Sequence, residues 1–228
     1  MGIAEKLAGV RERIHRAAAE SGRDIRGIRL VAVSKTKGPQ AVREAYEAGQ
    51  RDFGENYAQE LAGKAEALRD LRDVTWHFIG HLQTNKARVV AKHAHVVHTV
   101  DSEALARELG KRVARERPGD PMPVLIEVNV AGEAQKAGVT PGDLEAVMRA
   151  VTEQPALALR GLMTMPPAGD LAEARRVFET LATLRNPHGG TAVLPELSMG
   201  MTDDLEVAIA CGATIVRVGT AIFGPRGA

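Results

Sequence analysis

Ile28-Arg29-Leu30-Val31-Ala32-Val33-Ser34-Lys35-Thr36-Lys37-Gly38-Pro39 is the stretch on which the reading of the fold turns. An apolar, β-branched run closed by Gly and Pro predicts a short buried strand, Ile28–Ser34, that stops abruptly. It leaves Lys35 at its C-terminal end. Proline then sits where a first helical turn tolerates it, so a helix over about Pro39–Ala48 follows and Gly49 stops it. One strand and one helix make the unit.

The unit recurs in both directions. Upstream, Ile3, Leu7, Val10 and Ile14 alternate at spacings of four and three, an amphipathic helix over 3–20. Downstream, strands are expected at Arg51–Gly54, Thr75–Ile79, His95–Val100, Val124–Val130, Leu157–Met163, Val193–Leu197 and Thr214–Val218. Helices are expected between them. One carries Tyr57, Leu61 and Leu68, another spans Gln83–Lys92, and a third is capped by Asp101 or Ser102. Later ones start at Thr140-Pro141-Gly142-Asp143, at Asp170 with Glu173, and at Thr202 with Asp203 and Asp204 in its first turn. Asn186–Thr191 reads as a loop, and Gly219–Phe223 as the start of a last short helix.

Eight strand-then-helix units without a composition break predict one domain over residues 1–228. The expected fold class is α/β, a single closed (β/α)8 barrel of the TIM type with right-handed crossovers. An open doubly wound sheet is the alternative, but it calls for a glycine fingerprint after the first strand, which Ser34–Pro39 does not supply.

Composition narrows the function classes. The chain has 228 residues, 44% hydrophobic and 26% charged, with a formal net charge of +1, so neither a basic nucleic-acid surface nor an acidic tail is expected. Aromatics are only 3%, which leaves Ala, Val and Leu to fill the core. The single cysteine, Cys211, excludes an internal disulfide framework and fits a reducing compartment. No signal-peptide pattern and no apolar run of membrane-spanning length is present, so a cytoplasmic protein is expected.

In a barrel of this kind the chemistry lies at the C-terminal ends of the strands. That nominates Lys35, Lys37, Asn56, His81, Gln83, Asn129, Met163, Thr164, Ser198 and Arg217. His93, His95 and His98 lack the Cys or carboxylate partners of a usual zinc site, so no metal is expected. Barrels often hold phosphate with the loops after strands seven and eight and a short extra helix. Here those loops are Ser198-Met199-Gly200-Met201-Thr202 and Gly219-Thr220-Ala221, rich in hydroxyls and in glycines that let backbone N–H groups approach an anion. Barrel closure sets strand eight beside strand one, and hence Lys35 beside these loops. A lysine amine near a phosphate suggests either covalent attachment of a phosphorylated aldehyde or simple charge pairing. Arg217 adds a planar donor that stays protonated, one of the usual partners of a pyridine nitrogen in pyridoxal phosphate (PLP) sites.

Several segments in order carry a resemblance. They are Val31-Ala32-Val33-Ser34-Lys35-Thr36-Lys37, Phe53-Gly54-Glu55-Asn56-Tyr57, His77-Phe78-Ile79-Gly80-His81-Leu82-Gln83-Thr84-Asn85-Lys86, Arg160-Gly161-Leu162-Met163-Thr164-Met165, Leu197-Ser198-Met199-Gly200-Met201 and Val216-Arg217-Val218-Gly219-Thr220-Ala221-Ile222-Phe223-Gly224. The chain resembles the pyridoxal phosphate homeostasis proteins over essentially its whole length. The resemblance implies a barrel like the alanine racemase N-terminal domain, with PLP held as an aldimine on Lys35 and Arg217 facing the pyridine nitrogen. It further implies phosphate contacts from Ser198, Gly219 and Thr220, support from Gly200 and Met201, and a ring lined by Asn56 and Met163. Lys37 and Lys136 match family lysines without an assigned role.

Two classes stay open. The first is a PLP carrier in vitamin B6 homeostasis that releases PLP to recipient apo-enzymes and has no catalytic residues of its own. The second is a small amino-acid racemase, which needs a base on each face of its substrate. Lys35 serves one face. The chain has only two tyrosines, Tyr46 and Tyr57, both expected on helices, which leaves His81 as the one residue able to act as the second base. A phosphosugar aldolase would need a carboxylate at a strand end, and none is expected there. A monomer without nucleic-acid or membrane partners is expected.

Overall fold

The computed structural model describes residues 2–133 and 136–225. Its strands are β1 (Arg29–Val33), β2 (Asp52–Glu55), β3 (Thr75–Phe78), β4 (Val96–Val100), β5 (Met122–Glu127), β6 (Leu157–Met163), β7 (Glu196–Ser198) and β8 (Ile215–Val218). Each pairs in parallel with its neighbour in sequence, and β8 returns to β1, closing the barrel. The helices are α1 (Ile3–Glu20), α2 (Pro39–Glu47), α3 (Ala58–Ala67), α4 (Ala87–His93), α5 (Glu103–Glu116), α6 (Leu144–Thr152), α7 (Leu171–Leu184), α8 (Gly190–Val193), α9 (Leu205–Ala210) and α10 (Thr220–Phe223).

Side chains alternate across each strand, so the sheet separates an outer core from an inner one. The outer core lies between strands and helices and takes Ala32, Phe53, Trp76, Phe78, Val97, Ile126, Leu162, Leu197, Val216 and Val218. The inner one is small: Val31, Val96, Leu125, Met163 and Ile215. Polar groups fill the rest of the barrel interior, and these build the site. The N-terminal helix α1 is fastened by the Arg13–Glu206 pair at 2.7 Å and by Arg23, which donates to the carbonyls of Ile209 and Ala213.

Several boundaries differ from the sequence-based expectation, each for a local reason. Strand β5 ends at Glu127, because Val128 leaves the sheet to bridge Val139. Strand β2 runs through Glu55. Helix α6 starts at Leu144, because the Thr140 hydroxyl donates to Asp143 at 2.7 Å and closes a turn first. Asp204 likewise accepts the Met201 N–H at 2.5 Å, and α9 begins only at Leu205. Tyr57 stands at the N-cap of α3, half exposed. The expected loop at 186–191 contains a 3-10 turn, Asn186–His188, and the start of α8.

Two glycines set the backbone around the barrel mouth. A Cβ on Gly80 would lie 2.1 Å from the Asn56 carbonyl, so only glycine lets the end of β3 approach the segment after β2. Gly200 has φ +96° and turns the chain so that its carbonyl accepts the Arg217 N–H.

Candidate functional site

The loop after β1 is held by a buried ionic network. The Lys64 amine, on α3 and 5% exposed, donates to the Ser34 carbonyl and to Glu55 Oε1, both at 2.6 Å, and reaches Glu60 at 3.2 Å. The Ser34 hydroxyl donates to the same Glu55 oxygen at 2.6 Å, and Glu60 accepts the Thr36 N–H at 2.7 Å. Thr36 is left-handed at φ 63°, a strained setting for a β-branched residue. Lys35 is thereby carried on a short, doubly anchored turn rather than on a loose loop. Burial pushes the Glu55 carboxyl above the usual range, against the opposing pull of Lys64.

A crevice of about 160 Å³ opens beside this turn, lined by Val33, Lys35, Thr36, Lys37, Gly219, Thr220, Phe223 and Gly224. Barrel closure thus brings Lys35 together with the eighth loop, as its β1–β8 register requires. The first N–H groups of α10 have no intrahelical acceptor, which favours an anion there. The amine of Lys37 is committed elsewhere: it donates to the Pro225 carbonyl at 2.6 Å and holds down the segment after α10.

Arg217 lies deeper, inside the barrel and 3% exposed. It donates to the Ser198 hydroxyl at 2.7 Å and to the Thr164 carbonyl at 3.1 Å. Among the described residues no carboxylate is within ion-pair distance of it. Burial lowers its pKa to about 10, with Glu127 and Asp204 pulling the other way, so it remains a cation at neutral pH. Glu127, at the end of β5, is pushed up to about 7 by burial and then by the nearby Asp101, against Arg217 and His81. Its Oε2 is buried and unpartnered, as is Asn56 Oδ1.

The remaining nominated residues divide. Met163 is fully buried in the inner core. Ser198, implied by the resemblance to contact phosphate, has its hydroxyl turned into the barrel between Arg217 and His98, because the β7 register places it on the inward face. The Met201 N–H is already taken by Asp204. Asn129 folds its own loop by donating to the Glu133 and Lys136 carbonyls, and Lys136 pairs with Glu133 at 2.5 Å. Gln83 is exposed at the start of a 3-10 turn. His81 rests 3.2 Å from Asp101 with its side chain 58% exposed.

Three features were missed from sequence. The expectation that no carboxylate ends a strand is corrected: Glu55 ends β2, Glu127 ends β5 and Asp101 follows β4. Lys64, buried on α3 among partners from β2 and the loop after β1, carries no local sequence signal of its burial. His77 and His98, fully buried, face each other inside the barrel at 2.9 Å. For the last, the period-two pattern Val96-His98 was present, but its inward parity depends on the closed register.

The chain and its fold have known relatives. Residues 6–227 match the family model described as alanine racemase, N-terminal domain. A protein named pyridoxal phosphate homeostasis protein from Pseudomonas aeruginosa is 49% identical, over 98% of this chain and 96% of its own. The structure of PipY from Synechococcus elongatus with PLP bound superposes with a TM-score of 0.85 at 38% identity, covering 97% of this chain and 100% of that one. An alanine racemase from Corynebacterium glutamicum shares the fold, with a TM-score of 0.70 at 18% identity over 97% of this chain and 62% of its own.

Proposed function

The chain belongs to the alanine racemase N-terminal domain family and, within it, groups with the pyridoxal phosphate homeostasis proteins; from that premise we propose that it binds PLP at the C-terminal mouth of the barrel and serves vitamin B6 homeostasis. The observation that carries the reading is the shared crevice of Lys35, Gly219 and Thr220, with a buried, carboxylate-free Arg217 beneath it.

The residues present fit that group. PLP has a dianionic phosphate, a flat pyridine ring and an aldehyde, and when bound it supplies an electrophilic carbon that condenses with amines. The Lys35 amine is the point of covalent attachment. Backbone N–H groups of Gly219 and Thr220, with the Thr220 hydroxyl, are the phosphate donors. Arg217 would supply a guanidinium for the ring nitrogen, and Asn56 offers an amide whose oxygen has no protein partner. Ser198 and Gly200 act through Arg217, the first by its hydroxyl and the second by its carbonyl. Met163 would line the ring site and Met201 would support the seventh loop.

The carrier reading is favoured over the racemase. A guanidinium cannot give its proton to the pyridine nitrogen at neutral pH, so the ring stays a weak electron sink. Neither tyrosine supplies the second base: Tyr46 is tied to Asp73 and Tyr57 stands half exposed before α3. We further propose that the whole chain acts as one PLP-binding unit, as a cytoplasmic monomer that gives PLP up to apo-enzymes.

The test is to load the purified protein with PLP, gel-filter it and add L- or D-alanine. A retained, borohydride-sensitive visible band without sustained change in optical rotation is the expected result. Continued turnover overturns the carrier reading, and failure to retain PLP overturns the binding site.

A further inference from the structure

A line of polar side chains crosses the barrel interior from one mouth to the other. It starts at Asp52, at the N-terminal end of β2, where Arg29 stands 3.8 Å away. Asp52 Oδ1 is 2.9 Å from His77 Nε2, and His77 Nδ1 is 2.9 Å from His98 Nε2. His98 Nδ1 is 2.8 Å from the Ser198 hydroxyl, which accepts from Arg217 at 2.7 Å. The two rings meet edge to face, 5.1 Å apart at 76°. His77, His98, Ser198 and Arg217 are all buried.

With both rings uncharged, the ends of this line fix every proton in it. A guanidinium can only donate and an ionised carboxylate can only accept. Asp52 Oδ1 therefore accepts a hydrogen bond from His77 Nε2–H. His77 then presents Nδ1 as an acceptor, so His98 donates from Nε2. His98 Nδ1 is left as an acceptor, so Ser198 points its hydroxyl proton there and keeps a lone pair for Arg217. Burial first, and then the Arg217 cation, hold His98 well below the usual imidazole range, in keeping with a neutral ring. In the reverse direction Ser198 would accept from both His98 and Arg217, and its own proton would be left without an acceptor among the described residues.

We propose that Asp52, His77, His98 and Ser198 form a one-way hydrogen-bond chain through the barrel that fixes Arg217, making both histidines positioning residues for the site at the opposite mouth. Its geometry stands without any ligand; its functional consequence rests on the reading that Arg217 faces PLP. The chain explains why two imidazoles occupy a space that apolar residues usually fill. It also gives Arg217 a fixed acceptor without a carboxylate beside it, so the cation is oriented and not neutralised.

The first arm of the test uses the unloaded wild-type protein with 15N-labelled histidine. Long-range 1H–15N correlation is expected to show His77 and His98 neutral at pH 7, each with its proton on Nε2. A proton on Nδ1 of either ring, or a cationic ring, overturns the chain. The second arm compares PLP release from His98→Leu and His98→Gln. Glutamine keeps the pattern, donating to His77 from its amide and accepting from Ser198 at its oxygen. Leucine is expected to speed release about fivefold, the usual effect of one lost hydrogen bond, and to shift the pH profile of the visible band, with glutamine restoring both. Unchanged release in His98→Leu, or equal loss in both variants, overturns the positioning role. If the wild-type protein retains no PLP, the proposed function fails while the proton positions still decide the chain.

Discussion

Two cations are buried at the same end of the barrel, and they are treated in opposite ways. Lys64 is saturated: two carboxylates and a carbonyl surround its amine within 3.2 Å. Arg217 uses two of its donors on a hydroxyl and a carbonyl and has no carboxylate in contact among the described residues. Desolvating a charge costs several kcal/mol, so a buried cation is normally matched. The matched one anchors the turn that carries Lys35. The other keeps a charge that no carboxylate among the described residues matches, and the proposed function assigns it to PLP. Charge pairing at this mouth separates scaffold from site.

The contrast can be broken by mutation. Lys64→Met leaves Glu55 buried without its partner and is expected to cost about 3–5 kcal/mol in urea unfolding. A loss near zero would mean that the network does not anchor the β1 turn. Arg217→Met is expected to cost less than about 2 kcal/mol, because no ion pair is broken, while PLP retention falls at least tenfold. Equal destabilisation by the two substitutions would erase the distinction.

Glu127 sharpens the contrast through pH. Its folded pKa, about 7, stands above the ordinary 4.5, so the folded state binds this proton more tightly than the unfolded one. Its contribution is fully present below about pH 4.5 and is lost as pH rises through 7. Glu127→Gln in the unloaded protein is therefore expected to gain up to about 3 kcal/mol at pH 8 and nothing at pH 4, by chemical unfolding at each pH. The smallest effect concerns Thr36. Thr36→Gly relieves a left-handed β-branched residue and is expected to raise stability by about 1 kcal/mol, read as a shift in the urea midpoint. A loss would show that the Thr36 side chain contributes more than its backbone strain costs.

The alternation of strands and helices was legible because each strand is a compact apolar run and most helices carry caps or a periodic face. The nearness of Lys35 to Gly219 and Thr220 was legible too, since it follows from barrel closure alone. The facing of side chains into the interior was not. Register shifts between Val97 and Val100 and between Val124 and Leu125 change which residues point inward, and neither leaves a mark in local composition. Glu127 consequently read as mid-strand, and His98 as one of several scattered histidines. Lys64 escaped notice because a helix lysine becomes buried only through partners on β2 and on the loop after β1, distant in sequence.

The most direct measurement is to load the protein with PLP, reduce it with borohydride, digest it and locate the pyridoxyl group by peptide mass spectrometry. The expected result is a single modified residue, Lys35, with Lys35→Ala protein unmodified and folded. Modification at Lys37, Lys64 or Lys136 in place of Lys35, or none at all, would contradict the account.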